Sequence, residues 1–285
     1  MVYNEEANIG SLLQRISSQN FLHGELVEII VVASGCTDQT ESIVQDHMRR
    51  DRRIKLLCQP IREGKASAVN FFLSVATGDI LILESGDTIP DEGSLDKLIV
   101  PFSDPGVGMT GAHPIPINTP DTFIGFTVHL MWRLHHRIAL ISPKMGELVA
   151  FRNIVHKIPA QTAVDEASIE SIVRSEGYRL CYVPNAVVRN KGPQNIRDFI
   201  IQRRRIATGH TALLKQENYR VSTSGPLTIA KVLLEEHSWS LRDTIWTLGA
   251  IGLELFSRVL GYYDFRFKKK IPYIWDIAYS TKRLD

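Results

Sequence analysis

Gly78 to Glu92 read GDILILESGDTIPDE. Four apolar residues, Ile80 to Leu83, run straight into Glu84, Asp87 and Asp91, which are set apart by Ser85, Gly86 and Pro90. A short apolar run ended by turn residues predicts a buried strand. Carboxylates just past such a strand stand at the carboxyl edge, where open α/β sheets present ligands.

The flanking sequence repeats the pattern. Ile9, Leu12, Leu13 and Ile16 recur at spacings of three and four, which predicts an amphipathic helix. LVEIIVVA (26–33) is apolar and β-branched, the signature of a strand covered on both faces. TDQTESIVQDHM then predicts a helix, RIKLLCQ a strand, and KASAVNFFLSVAT a helix closed by Gly78. Strands alternating with helices predict a parallel, right-handed α/β sheet.

Past DEGSLDKLIVPF, Pro101, Pro105, Pro114, Pro116 and Pro120 crowd one region, where the chain is expected to turn. GVGMTG (106–111) meets the GxGxxG spacing, but no predicted strand leads into it and AHPIPINTP follows it, so it is set aside as a dinucleotide site. FIGFTVHLMWRLHHRIALI predicts a long helix whose Arg133, His135, His136 and Arg137 make it unsuited to span a bilayer. Adjacent histidines diverge on a helix, so core or surface roles are expected for this pair rather than metal binding. ELVAFRN predicts a strand, VDEASIESIVRSEG a helix, RLCYVPNAVVRN an extended segment, and IRDFIIQRRRIATGHTALL a basic helix.

Near the C-terminus, Ile245, Leu248, Ile251, Leu255, Val259 and Leu260 share one helical face, with Glu254 and Arg258 spaced i,i+4. Lys268, Lys269 and Lys270 follow. Two readings are open: a helix packed on the domain, or one lying along an anionic membrane surface. Hydrophobic residues at 44% and charged residues at 22% describe a globular chain able to bury a core. A net charge of +2 is too mild to imply a nucleic-acid partner. Three cysteines without a CxxC pair support neither a disulfide framework nor a zinc site, and MVYNEEANIG lacks the pattern of a secretory signal, so a cytoplasmic location is expected.

Four stretches in order carry a resemblance. VYNEEANIGSLLQRI, EIIVVASGCTDQTESIV, REGKASAVNFFLSVATGDILILESGDTIP, and VDEASIESIVRSEGYRLCYVPNAVVRN followed by QRRRIATGH are similar to the inverting glycosyltransferases of family 2, nucleotide-sugar enzymes with the GT-A fold. The resemblance implies an α/β GT-A-like sheet flanked by helices over Met1 to about Tyr219. Its donor half would end near residue 112 and its acceptor half run over 113–219, with a helical tail over 220–285. The family's first strand has more apolar residues than Met1 and Val2 supply before YNEE, so its start is expected upstream.

The resemblance also implies roles. Departure of a nucleoside diphosphate leaves negative charge that a carboxylate-held Mg²⁺ or Mn²⁺ commonly neutralises. Aligned on GDTIP, the family's Asp-x-Asp element falls on Ser85, Gly86 and Asp87, leaving Asp87 as metal ligand and Glu84 as the second candidate carboxylate. Read without the family, these residues are an exposed turn with Asp91 as a helix cap. Tyr3, Asn4 and Glu5 fall at the donor site, and Ser34 stands where the family usually has a base-binding aspartate. Arg62 and Lys65 flank Gly64 at a helix start suited to a pyrophosphate. Glu166 aligns with the catalytic base, with Asp165 as the neighbouring candidate; the plain alternative is a helix N-terminus carrying favourable negative charge. QRRRI (202–206) resembles a Gln-x-x-Arg-Trp element with Ile206 in place of the tryptophan, which favours single transfer over polymerisation, and Gln202, Arg203 and Arg205 are expected to touch the donor diphosphate. The expected partners are a nucleotide-sugar donor and a glycan or lipid-linked acceptor at the inner face of the cell membrane. The alternatives are a sugar-phosphate nucleotidyltransferase and a non-catalytic sugar- or lipid-binding relative.

Overall fold

The computed structural model describes residues 1–219, 221, 225–236, 238, 240–268, 274, 279–282 and 284. Lys269 and Lys270 of the expected basic cluster lie outside the described residues.

The first half alternates as the periodicity predicts: α1 (Ile9–Ser17), β1 (Ile29–Ser34), α2 (Thr40–Met48), β2 (Ile54–Gln59), α3 (Lys65–Val75) and β3 (Ile80–Leu83). β1 and β2 pair in parallel from Ile29 opposite Ile54 to Ser34 opposite Gln59. β1 is buried on both faces, as its unbroken β-branched run requires. α1 supplies Ile9, Leu12 and Leu13 to a core with Val31, Ala33 and Val44. Gly35 ends β1 with a φ of +65°, and a Cβ there would fall 2.5 Å from the Arg62 nitrogen. Only glycine accepts both the left-handed turn and that close approach.

The elements that follow are β4 (Thr88–Pro90), α4 (Ser94–Ile99), β5 (Val107–Pro116), α5 (Phe123–Ile141), β6 (Val149–Arg152), α6 (Asp165–Ser175), β7 (Arg179–Asn190), α7 (Ile196–Glu217), α8 (Pro226–Glu236) and α9 (Leu241–Tyr263). Five strands form a second sheet in the order β3-β6-β5-β7-β4. It is mixed: β5 runs parallel to β7, whereas β3 with β6, β5 with β6, and β4 with β7 are antiparallel. The two sheets meet at the start of the chain, where Val2 bridges Ala33 and the Met1 carbonyl accepts from Gly86 N at 3.1 Å.

β5 corrects the sequence reading. Pro114 and Pro116 of the proline-rich region lie in a ten-residue strand at the centre of the second sheet, and Val107 to Gly111 of GVGMTG form its buried first half. Pro114 and Pro116 pair only with β7, because β6 covers β5 only over Met109 to Gly111. Proline is tolerated where no second neighbour needs its missing N–H. The largest cluster, with Val32, Phe72, Leu83, Met109, Phe151 and Ile169, joins both sheets to α3 and α6.

Candidate active site

A cleft of about 770 Å³ opens above the junction of the two sheets. All of the expected site residues except Asn4 and Glu84 line it, although they come from sequence positions as far apart as Tyr3 and Arg205. Asn4 serves the scaffold instead: its Oδ1 accepts from Thr37 N at 2.8 Å and its Nδ2 donates to Thr37 Oγ1 at 3.1 Å. Asp38 holds the same loop, accepting from Glu6 N and Thr40 N. Ser34 is buried at the cleft edge and accepts from Glu63 N at 3.4 Å. The Arg62 guanidinium lies 4.4 Å from the centre of the Tyr3 ring.

At the centre of the cleft stands a three-membered charge cluster. Lys65, the first residue of α3, donates to Glu166 Oε1 at 2.8 Å and lies in ion-pair contact with Asp165 Oδ2 at 2.9 Å. Burial works against the ammonium, but Asp165 and Glu166 outweigh it and raise the Lys65 pKa. Burial also presses on both acids. In Asp165, burial and the neighbouring Glu166 win, and the pKa rises. In Glu166 the attraction and hydrogen bond of Lys65 win, and the carboxyl is held below its usual range. Glu166 is the acid that gives up its proton more readily and the more open one, at 20% side-chain exposure against 6% for Asp165. Lys65 thus holds the two acids in place while lining the cleft.

The three consecutive arginines of α7 part company. Arg203 pairs fork to fork with Glu254 of α9, both contacts being 2.8 Å. Arg204 pairs with Asp264 beyond α9. Arg205 is enclosed and faces the attraction of Asp165, Glu166, Glu147 and Asp87. Helical spacing of 100° per residue sends adjacent side chains in different directions.

The expected metal ligands also separate. Glu84 accepts from Thr88 Oγ1 at 3.1 Å, and its other carboxyl oxygen is buried without a partner. Burial pushes its pKa up to about 8. Asp91, read as a helix cap, instead pairs bidentately with Arg189 at 3.0 and 2.8 Å. Asp87 remains in the cleft, engaged by no hydrogen bond or ion pair among the described residues. It adds to burial in raising the pKa of Glu5 and in lifting Glu147 to about 7. Among the described residues no group of three or more His, Cys, Asp or Glu forms a closed metal cage. An unpaired Asp87 amid mutually repelling carboxylates nevertheless fits a cation that takes its remaining oxygens from a bound diphosphate.

Several cleft residues escaped the sequence reading. Lys282 forms an ion pair with buried Glu5 and donates to the Tyr3 carbonyl at 2.8 Å, with Asn8 holding its backbone carbonyl at 2.8 Å. No local pattern announces a partner 277 residues away. Glu147, with a φ of +58°, receives Asn190 Nδ2 at 3.3 Å. His135 is buried in the wall with neither ring nitrogen hydrogen-bonded. His136 accompanies Tyr182, at 2.8 Å, and stacks on His113 at 4.0 Å; neither histidine of that stack lines the cleft. The far arm of the cleft is apolar, with Val128, Met131 and Trp132 of α5 facing Ile206 and Leu214 of α7 and Ile229 of α8.

Open α/β architecture, a carboxylate rim and a basic helix start together define a fold of the GT-A type. A mannosyltransferase from Pyrobaculum calidifontis, solved with GDP-Man and Mn²⁺, shares it at a TM-score of 0.66 and 20% identity, over 94% of this chain and 86% of that one. Glucosyl-3-phosphoglycerate synthase from Mycobacterium tuberculosis, solved with Mn²⁺ and UDP, superposes at a TM-score of 0.51 and 17% identity, over 76% and 77%. At these identities the likeness is one of fold. The profile of Glycosyl transferase family 2 matches residues 1–172, and the chain belongs to that family of glycosyltransferases. Glycosyltransferase GlyG of Streptococcus pneumoniae is 30% identical over 97 residues, 34% of this chain and 31% of that protein. Glucosyl-3-phosphoglycerate synthase of Mycolicibacterium smegmatis is 33% identical over 102 residues, 35% and 33%. The aligned stretch therefore spans about a third of these curated relatives.

Proposed function

We propose that this chain transfers one sugar, with inversion, from a nucleoside diphosphate sugar to a hydroxyl of a glycan or lipid-linked acceptor. The observation that carries the reading is the convergence of Asp87, Lys65, Asp165, Glu166 and Arg205 on one cleft. Inversion in a single displacement needs a base on the acceptor side, and Glu166 is ionised and open to the cleft. It takes the acceptor proton as the hydroxyl attacks. Lys65 and Asp165 fix its position, so little reorganisation is needed during the step.

On the donor side, Arg62 and Arg205 supply positive charge for the diphosphate, and Tyr3, Glu5, Ser34 and Gln202 border the same space. Asp87 would hold a Mg²⁺ or Mn²⁺ ion, which when bound supplies neutralisation of the departing diphosphate. The apolar arm between α5 and α7 supports an acceptor with a hydrocarbon part, such as a lipid-linked or cell-envelope glycan at the inner membrane face. Ile206 in that wall offers no aromatic plate for a growing polysaccharide, which favours single transfer.

A panel of nucleotide sugars with Mn²⁺ tests the reading. Metal-dependent donor binding or hydrolysis that disappears in Asp87→Ala supports it. Ser85 and Ser34, where the family has aspartates, favour one second reading, a non-catalytic relative; glycan binding without nucleotide binding would establish that instead.

A further inference from the structure

α9 is arranged inside out. The residues it buries are small: Thr247, Ala250, Ser257 and Gly261. At Gly261 the helix approaches α7 so closely that a Cβ would fall 2.6 Å from the Arg204 carbonyl oxygen and 2.8 Å from Ala207 Cβ. Thr208 Oγ1 donates across this contact to Gly261 O at 3.1 Å. The residues turned outward are large: Leu248 is 64% and Val259 66% exposed, with Leu241, Ile245 and Leu255 also open. Positions 241, 245, 248, 255 and 259 follow one helical stripe.

A helix packed on a water-exposed domain buries its large apolar face and shows a polar one. Small residues at the helix contact and large apolar residues outside are the arrangement found where hydrocarbon surrounds the helices. At the start of α9 the Trp246 ring turns inward onto Phe123 and Phe126, with Arg242 5.0 Å from it; past the end of the stripe, Lys268 lies 5.8 Å from Tyr263 and Arg266 5.9 Å from Phe267. Aromatic and basic side chains of this kind suit the head-group level of a membrane. Among the described residues no helix is long and apolar enough to cross a membrane, so the chemistry fits a helix lying in the surface plane. Arg258 and Tyr262 are exposed on α9 and also line the cleft.

We propose that the outer stripe of α9 docks this protein on an anionic lipid bilayer, with the cleft opening beside the head groups. The stripe enters the boundary between head groups and acyl chains, and Arg266 and Lys268 past its end meet the lipid phosphates, Lys268 while also paired with Asp264 at 3.4 Å. The docking is independent of the transfer reaction and is read without donor or acceptor, so its failure leaves the proposed reaction standing.

The test is co-sedimentation of the full chain with phosphatidylcholine vesicles, with and without phosphatidylglycerol. The expected result is binding to the anionic vesicles that falls by at least about tenfold in Leu248→Glu/Val259→Glu, two outward positions whose apolar area is lost to the bilayer. Circular dichroism and thermal melting of the variant should match the parent, which separates lost docking from lost folding. Arg266→Gln and Lys268→Gln should each weaken binding by about fivefold, and only on the anionic vesicles. Absence of vesicle binding at low salt, or equal binding by the folded Leu248→Glu/Val259→Glu variant, would overturn the proposal. So would a dimer in light scattering that fails to bind vesicles and becomes monomeric in that variant, which would assign the stripe to a second copy of the chain.

Discussion

Glu84 with Asp87 and Asp165 with Glu166 are two close pairs of carboxylates near the same cleft, and the fold treats them in opposite ways. The first pair is split. Glu84 is enclosed with one oxygen unpartnered, and Asp87 faces the cleft unpaired. The second pair is gathered onto one cation, Lys65, which holds Glu166 ionised while Asp165 retains its proton more readily. Spacing along the chain therefore places carboxylates within reach of a site, but the partner each one meets sets its charge.

The sharpest way to break the comparison is to remove one acid at a time from the Lys65 cluster. Glu166→Gln is expected to lower turnover by about 10²–10⁴-fold while donor binding persists, as loss of a general base does. Because Lys65 holds Glu166 below the usual carboxylate range, the acid limb of the parent's kcat/KM profile should lie below that range too. An equal loss in Asp165→Asn with an active Glu166→Gln would exchange the two roles.

Removing the shared cation comes next in size. Lys65→Met strands buried Asp165 and the partly open Glu166 and is expected to cost about 3 kcal/mol of stability in denaturant melts. Acidification should recover part of the loss by protonating the pair; a melt unaltered by the substitution would deny the cluster its structural weight.

In the split pair, Asp87→Ala should weaken Mn²⁺-dependent nucleotide binding by more than about tenfold in calorimetry, whereas Glu84→Gln should leave it near the parent value. Equal losses would return Glu84 to the metal site. The last contrast is in pH dependence. Glu84 titrates near 4.5 when exposed and near 8 in the fold, so the native state binds the extra proton between those values and stability falls as pH rises through that window. The slope from this group is at most about 1.4 kcal/mol per pH unit. Glu84→Gln should flatten that part of the stability profile, and an unchanged profile would show that Glu84 is ionised.

Much of this molecule is legible before folding. The β-branched run of β1, the three-four spacing of α1 and the apolar burst of β3 each bury side chains in the pattern their sequences predict. β5 was illegible because its glycines and prolines are ordinarily turn residues, and only the one-sided pairing beyond Gly111 makes the prolines acceptable within a sheet. The tail shows a different limit. Its apolar stripe is visible in the periodicity, but amphipathicity does not say which face turns inward, and here the small residues do.

The sequence by itself determined the succession of strands and helices, the turn at Gly35, and which stretches bring acids and bases to the sheet edge, because these follow from local periodicity and backbone sterics. Only the tertiary structure decided that Lys65 belongs to Asp165 and Glu166, that Lys282 reaches Glu5, that Arg203 in the cleft wall is spent on Glu254 while Arg205 faces the acids, and that Glu84 is closed off from the cleft. Charge pairing and desolvation act through space, over separations that no local pattern encodes.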